Sequence, residues 1–337
     1  MYYVLMKSHD IRQNLATEQY LMNQKNFTEP LVLFYSEGPS IIVGRNQNTL
    51  AEINQKYVAE QKVVVTRRLS GGGAVYHDLG NLCFSFVVDA ADEKFGDFKT
   101  FTQPIVTALQ KMGAQGIEIS GRNDILVAGK KFSGSAMYTK NGKIFSHGTL
   151  MLNVDLDVVT HALNVPADKI ASKGIKSIRS RVTNLRPYLA PEFQDLTTEE
   201  FRDKLLLQLF AAPNLAAIKE KEYQITAADQ KQINQIYTST YNNWNWIYGK
   251  SPDFTLQKRQ HFSMGTIDAR LLIQQGRINE VTFYGDFFGS EDVKAVATVL
   301  NGVIYDRQHI SQALAKLDLA NYFKGIKPAA IIDLLAQ

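Results

Sequence analysis

Four stretches of the chain carry residues whose types and spacing could do chemistry. The densest is RRLSGGGAVYHDLGNLCFSF, residues 67–86. Arg67 and Arg68 leave one apolar run, Ser70 and the triplet Gly71, Gly72 and Gly73 follow, and Ala74, Val75, Tyr76, His77 and Asn81 lead into another. Consecutive glycines cost backbone entropy that a plain turn has no need to spend. They let the main chain approach a bulky anion with its N–H groups turned toward it. No Gly-Lys-Ser/Thr follows at Walker spacing, and no GxGxxG opens a helix, so this is neither of those phosphate loops. The second stretch, 121–136, holds Asn123 and Asp124, then Lys130 and Lys131, then Ser133, Gly134 and Ser135. A lysine among small hydroxyl residues can hold a carboxylate and a phosphate together as a point charge. Alone, the lysine pair would read as a solvated hairpin end; beside the glycine motif it reads as part of a site. The third stretch places His147, Gly148 and Thr149 on a strand. A strand histidine is ordinarily structural, and no proton transfer is assigned to it. The fourth, 173–185, carries Lys173, Lys176, Arg179 and Arg181, with Arg186 just beyond. It suits closure over an anionic intermediate or an acidic partner, and equally an exposed basic loop.

Other chemistries find no residues. Cys83 alternates within an apolar strand and reads as core, not nucleophile. The six histidines and one cysteine show no metal-ligand spacing. No GxSxG elbow is present.

These stretches must be held by strands and helices. Apolar runs at 2–6, 31–35, 41–44, 62–66 and 81–88 read as strands. Spacings of three and four suggest helices at 11–25, 51–61 and 98–112; in the last, Phe98, Phe101, Ile105, Ala108, Leu109 and Met112 share a face. Asn141-Gly142 marks a hairpin turn between strands within 124–154. Further helices are expected at 197–211, opened by a Thr197/Glu200 capping box, and at 227–241. Turn-linked strands favour antiparallel pairing. The expected class is therefore α+β: a mixed, largely antiparallel sheet packed with helices, followed by a small α/β accessory domain. The segment 242–254, with both tryptophans and Gly-Lys-Ser-Pro, suggests the division 1–245 and 246–337.

The 337 residues are about two domains' worth, and 45% hydrophobic with 21% charged residues is ordinary for a folded protein. A single cysteine allows no intrachain disulfide and fits a reducing compartment. The start has no signal-peptide pattern, and no apolar run approaches ~18 residues. The expected location is the cytoplasm. The net charge of +4 is mild and its basic residues are dispersed, so neither nucleic acid nor a membrane is an expected partner.

The three central motifs resemble the lipoate–protein ligase A family. That family shows RRxSGGGAVxHDxGN, GRNDI…GxKxSGSA and HGTLLLN, matched here in order at 67–81, 121–136 and 147–153. NLATEQYLM at 14–22, SIIVGRNQN at 40–48 and RSRVTNL at 179–185 are weaker echoes, and the resemblance runs through nearly the whole chain. It implies a biotin/lipoyl ligase-like catalytic domain and an accessory domain that rotates during the cycle. It implies that lipoic acid and Mg-ATP give lipoyl-AMP and pyrophosphate, after which the acyl group passes to a lysine of a lipoyl domain; Asp124 is the one protein candidate to hold that Mg2+. Acceptors would be a glycine-cleavage carrier protein or 2-oxoacid dehydrogenase acyltransferase subunits, and the enzyme would be a monomer. Carried over by position, Arg68 and Gly73–Tyr76 contact the nucleotide, while Ser70, Gly71 and Gly72 line the same site. The essential lysine, two residues before SGSA, is Lys131. Two readings stay open beside this one: a lipoyltransferase that takes preformed lipoyl-AMP, and a non-catalytic sensor of the adenylate. A thioester-forming transferase would need a cysteine near the lysine motif, and 120–155 contains none.

Overall fold

A computed structural model describes residues 1–24, 27–45, 47–91, 95–120, 123–164, 181–251, 254–262, 265–285, 287 and 289–336. Most of the basic segment, with Lys173, Lys176 and Arg179, lies outside them; Arg181 is inside. The chain divides into two compact units, Met1–Arg45 with Lys62–Asn243 and Asn46–Gln61 with Trp244–Gln337.

The first unit is built on a seven-stranded sheet. Its strands are β1 (Tyr2–Leu5), β2 (Leu31–Tyr35), β6 (Asn81–Asp89), β7 (Ile117–Ser120), β8 (Asp124–Val127), β9 (Lys130–Lys140) and β10 (Lys143–Met151), in the order β1-β2-β6-β10-β9-β8-β7. Only β1–β2 is parallel; the other neighbours are antiparallel. β2 and β6 are interior strands with helices on both faces, so they read as continuous apolar runs and not as alternation. One face packs Val32, Phe34, Phe84 and Phe86 against the helices Phe98–Lys111 and Thr198–Phe210 through Phe101, Ile105, Phe201 and Leu205. The other face packs Leu31, Leu33, Tyr35, Cys83 and Phe145 against Ile11, Leu15 and Leu21 of the helix Ile11–Gln24. A small second sheet sits in this unit: β3 (Ser40–Val43) lies between parallel β4 (Val64–Arg67) and antiparallel β5 (Val75–His77).

Local chemistry sets the junctions. Asn141 (φ 52) and Gly142 (φ 74) make the β9–β10 turn, the left-handed geometry that an Asn-Gly hairpin supplies. Thr197 and Glu200 form a capping box. The helix expected over 51–61 is instead two, Thr49–Glu52 and Gln55–Gln61. Asn48 caps the first and the Asn54 side chain accepts from the Tyr57 N–H of the second, so two local caps defeat one continuous helix.

The second unit pairs three antiparallel strands, β11 (Phe254–Phe262), β12 (Gly265–Gln274) and β13 (Arg277–Gly285). Its core joins Ile267, Leu271, Ile278 and Val281 to Leu300, Phe323 and Ile331 of the following helices and turns. Segment 46–61 joins this unit, which a linear reading assigns to the first domain. Leu50 enters the same core, and the Thr49 hydroxyl donates to the Ile247 carbonyl at 2.6 Å. Among the described residues no helix is long and apolar enough to cross a membrane.

Gly148 tests how tightly the main sheet is packed. A Cβ there would lie 2.3 Å from Cζ of Phe84, whose ring is fully buried. Gly148→Ala is expected to destabilise the first unit by about 1–3 kcal/mol, read as a lower urea midpoint. An unchanged midpoint would show that Phe84 has room to move.

Candidate active site

Strand β9 does not keep a regular register. Asp124 pairs with Gly134 and Ile125 with Ser133, but Leu126 pairs with Lys131, so Phe132 is the extra residue of a bulge. Regular alternation would put Lys130 on the face of Gly134 and Ala136, because side chains two apart share a face. The bulge exchanges the two lysines. The Lys131 ammonium reaches the Gly134 face, where it lies 2.8 Å from the place a Gly134 Cβ would occupy. There it pairs with Asp124 Oδ1 at 2.6 Å. Lys130 is exposed at the strand's start. The bulge also sends Phe132 into the core at 0% exposure. The main chain at Lys131 is held on its outer edge, where its N–H donates to Arg181 O at 2.8 Å and its carbonyl accepts from Thr183 N at 2.9 Å.

The neighbouring polar residues divide by face. Ser133 lies opposite core residue Ile125, while Ser135 Oγ and the Phe84 ring both come within 3 Å of a Cβ placed on Gly148. Both hydroxyls are therefore on the core side. Asn123 fastens that segment, its Nδ2 donating to Ser135 O at 2.6 Å. The Thr149 hydroxyl accepts from Gly134 N at 3.3 Å.

The glycine triplet faces the lysine across a cavity and is clamped from beneath by Arg68. That guanidinium donates to Ile42 O (3.0 Å), Gly71 O (2.7 Å), Gly73 O (2.8 Å) and Ser70 Oγ (3.1 Å). It thereby occupies carbonyl oxygens that would otherwise repel an anion. Burial pulls its pKa down to about 10, so it stays charged at neutral pH. Gly72 takes φ +96, and Gly44 passes so close that a Cβ on it would meet Gly72 O at 2.0 Å. Gly71 and Gly73 have open space where a side chain would be, and at Gly73 that space is the cavity. Arg67 is a structural counterpart, fully buried with its guanidinium on Gly44 O and Arg45 O.

From Ser70 a polar chain runs inward. Its Oγ lies 2.6 Å from His147 Nε2, and His147 Nδ1 lies 3.6 Å from Glu18 Oε2. Glu18, 3% exposed on the N-terminal helix, also accepts from the Tyr35 hydroxyl at 2.8 Å and from Ser85. A second buried group joins His77 Nδ1 to Glu37, with Cys83 Sγ 3.5 Å from the same carboxylate and Asn81 Nδ2 3.3 Å from the sulfur. Burial, then Glu37 and Glu18, push the Cys83 thiol well up. It stays protonated, which removes it as a nucleophile.

The cavity between these walls has a volume of about 380 Å3, within the range of small-molecule sites. It brings together Arg68, Gly72, Gly73, Ala74, Val75, Tyr76, His77 and Asn81 from the first motif. Asn123, Lys131, Ser133, Gly134 and Ser135 come from the second, and His147, Gly148 and Thr149 from the third. Ser70, Gly71 and Asp124 stand behind this lining, in contact with Arg68, His147 and Lys131.

The family model for the lipoyl protein ligase A/B catalytic domain matches residues 10–210, and that for the bacterial lipoate protein ligase C-terminus matches residues 251–335. The chain belongs to the lipoate–protein ligase family. It is 46% identical over 327 residues to the lipoate-protein ligase LplJ of Bacillus subtilis, covering 97% of each chain. It is 42% identical to lipoate–protein ligase 1 of Staphylococcus aureus, covering 96% of each. Among solved structures, the bi-partite lipoate protein ligase of Thermoplasma acidophilum, studied with its E2 lipoyl domain, aligns with a TM-score of 0.63 at 26% identity. That alignment spans 74% of this chain and 97% of the other.

In this lipoate–protein ligase the sequence motifs supply the rim, while several residues of the interior come from elsewhere. Glu18, Tyr35 and Glu37 carry no local pattern. Only NLATEQYLM, within which Glu18 falls, hinted at one of them. The Arg68 clamp gives a direct test. Arg68→Lys keeps one charge but loses the planar fork, and a loop displaced by about 1 Å can cost ~10²-fold in rate. Single-turnover formation of acyl-adenylate is expected to slow by about that factor with far-UV circular dichroism unchanged. An unchanged rate would show that the loop holds its shape without the clamp.

Proposed function

We propose that the chain activates lipoate with ATP to lipoyl-AMP, releasing pyrophosphate, and then transfers the lipoyl group to a lysine of a lipoyl-domain acceptor. The carrying observation is the Lys131 ammonium, turned by the bulge to face the glycine loop within one cavity. Attack of a carboxylate on the α-phosphate brings two anions together. A fixed cation between them offsets that repulsion and aligns the reacting oxygen. In the second step the same ammonium stabilises charge on the carbonyl oxygen as the acceptor lysine attacks. Pairing with Asp124 holds the Lys131 ammonium in place.

The loop residues Gly72–Tyr76 offer backbone to the phosphates, held in shape by Arg68. Ile11, Leu15, Tyr35, Ile42 and Val75 give the cavity an apolar side suited to the acyl chain, where each buried methylene is worth about 0.8 kcal/mol. Mg2+ takes hard oxygen ligands and is commonly held by one or two carboxylates with substrate phosphates. Asp124 holds Lys131 through Oδ1, and its second carboxylate oxygen would serve as a single protein ligand. Bound with ATP, Mg2+ would supply further neutralisation of phosphate charge. In this reading the enzyme is a cytoplasmic monomer. Its acceptors are glycine-cleavage carrier proteins or 2-oxoacid dehydrogenase acyltransferase subunits; the E2 lipoyl domain studied with the Thermoplasma relative supports that class of partner.

The test incubates the protein with ATP, Mg2+ and lipoate, without acceptor, and measures pyrophosphate and bound lipoyl-AMP. Wild type and Lys130→Ala are expected to form the adenylate, and Lys131→Ala is not. Acyl transfer only from supplied lipoyl-AMP would move the chain to the transferase reading. Binding of lipoyl-AMP without either reaction would make it a sensor.

A further inference from the structure

Glu37, His77 and Cys83 meet from three parts of the chain: the loop just after β2, the end of β5 and the first few residues of β6. Each is buried, at 0%, 6% and 3% exposure. One ligand atom from each lies within 4.8 Å of the others, the one such grouping among the described residues. The geometry points to a binding site for a single zinc ion at these three side chains, with a fourth position open to the cavity.

The distances favour it. Tetrahedral zinc, at ~2.3 Å from sulfur and ~2.0 Å from nitrogen or oxygen, sets S···N and S···O edges of about 3.5 Å. Here Cys83 Sγ lies 3.7 Å from His77 Nδ1 and 3.5 Å from Glu37 Oε1. The third edge, His77 to Glu37, is closed by a short hydrogen bond and must open to about 3.3 Å to admit the ion. Two buried acceptors nearby also lack a donor among the described residues, Glu37 Oε2 and Asn81 Oδ1. A buried carboxylate oxygen without a partner calls for an unplaced donor or cation. Ion binding releases the thiol proton, and the imidazole keeps its one proton at Nε2 while Nδ1 ligates the ion. One thiolate, one carboxylate, a neutral imidazole and Zn2+ then sum to zero charge, which a buried site tolerates.

The donor set also chooses the metal. Thiolate and imidazole select zinc and its first-row neighbours, whereas Mg2+ takes oxygen alone. Access is through the cavity, which His77, Asn81 and Cys83 all line. The site is separate from the Asp124 position and does not depend on the proposed reaction.

The test uses the full chain after chelator treatment. Zn2+ is titrated in competition with a chromophoric chelator, and Co2+ is titrated with absorbance read for a thiolate-to-cobalt charge-transfer band. One Zn2+ per chain is expected, together with that band, and excess Mg2+ should not displace the ion. Glu37→Gln should weaken Zn2+ by about tenfold or more, and Cys83→Ala should abolish the band. Thermal melts without metal report whether each variant folds. If Cys83→Ala does not fold, the wild-type cobalt band decides alone. No stoichiometric ion, binding without a thiolate band, or equal affinity in folded variants would each overturn the site.

Discussion

Strand β9 offers one residue more than β8 has partners for, and the slip at Phe132 decides which of two adjacent lysines the cavity receives. The constraint is geometric. Side chains on a strand alternate, so an unbroken register would bury Lys131 beside Ser133 and present Lys130. The aromatic ring of Phe132, fully buried in the core, anchors the slip from below. The Asp124 carboxylate holds the result from above. Gly134 completes it, because a side chain there would collide with the Lys131 ammonium. The glycine of the SGS segment is thus needed for room, while its two serines face the core.

Arg67, Arg68, Glu18 and Glu37 are all nearly or wholly inaccessible, and buried ions are costly unless hydrogen-bonded or paired. Here the arginines take backbone carbonyls and Glu18 takes hydroxyls. Each buried charge fixes main chain or a side chain at the cavity wall. The loop therefore meets an incoming anion already formed, with little ordering left to do on binding.

Much of this was readable in the residues. The three motifs, the Asn-Gly hairpin, the Thr197 cap and the amphipathic face of 98–112 each depend on residues close in sequence, and local rules apply there. What could not be read depends on distant partners or on register. Glu37, His77 and Cys83 are spread over three elements, so spacing shows nothing of their meeting. Ser133 and Ser135 look like ligand hydroxyls until the pairing assigns their face. Segment 46–61 precedes the glycine loop in the chain, yet Leu50 and Thr49 belong with the C-terminal unit. Local rules do not separate Lys131 from Lys130; the bulge does, by turning Lys131 to the cavity.

The most direct measurement of that placement is an amine footprint. The protein is treated with a lysine-selective acylating reagent, with and without a non-hydrolysable analogue of lipoyl-AMP, and fragment-ion mass spectrometry separates the two neighbouring lysines. The bulge predicts that the analogue protects Lys131 and leaves Lys130 as reactive as before. Protection of Lys130 with Lys131 unchanged would mean that β9 keeps a regular register in solution, and would contradict the account.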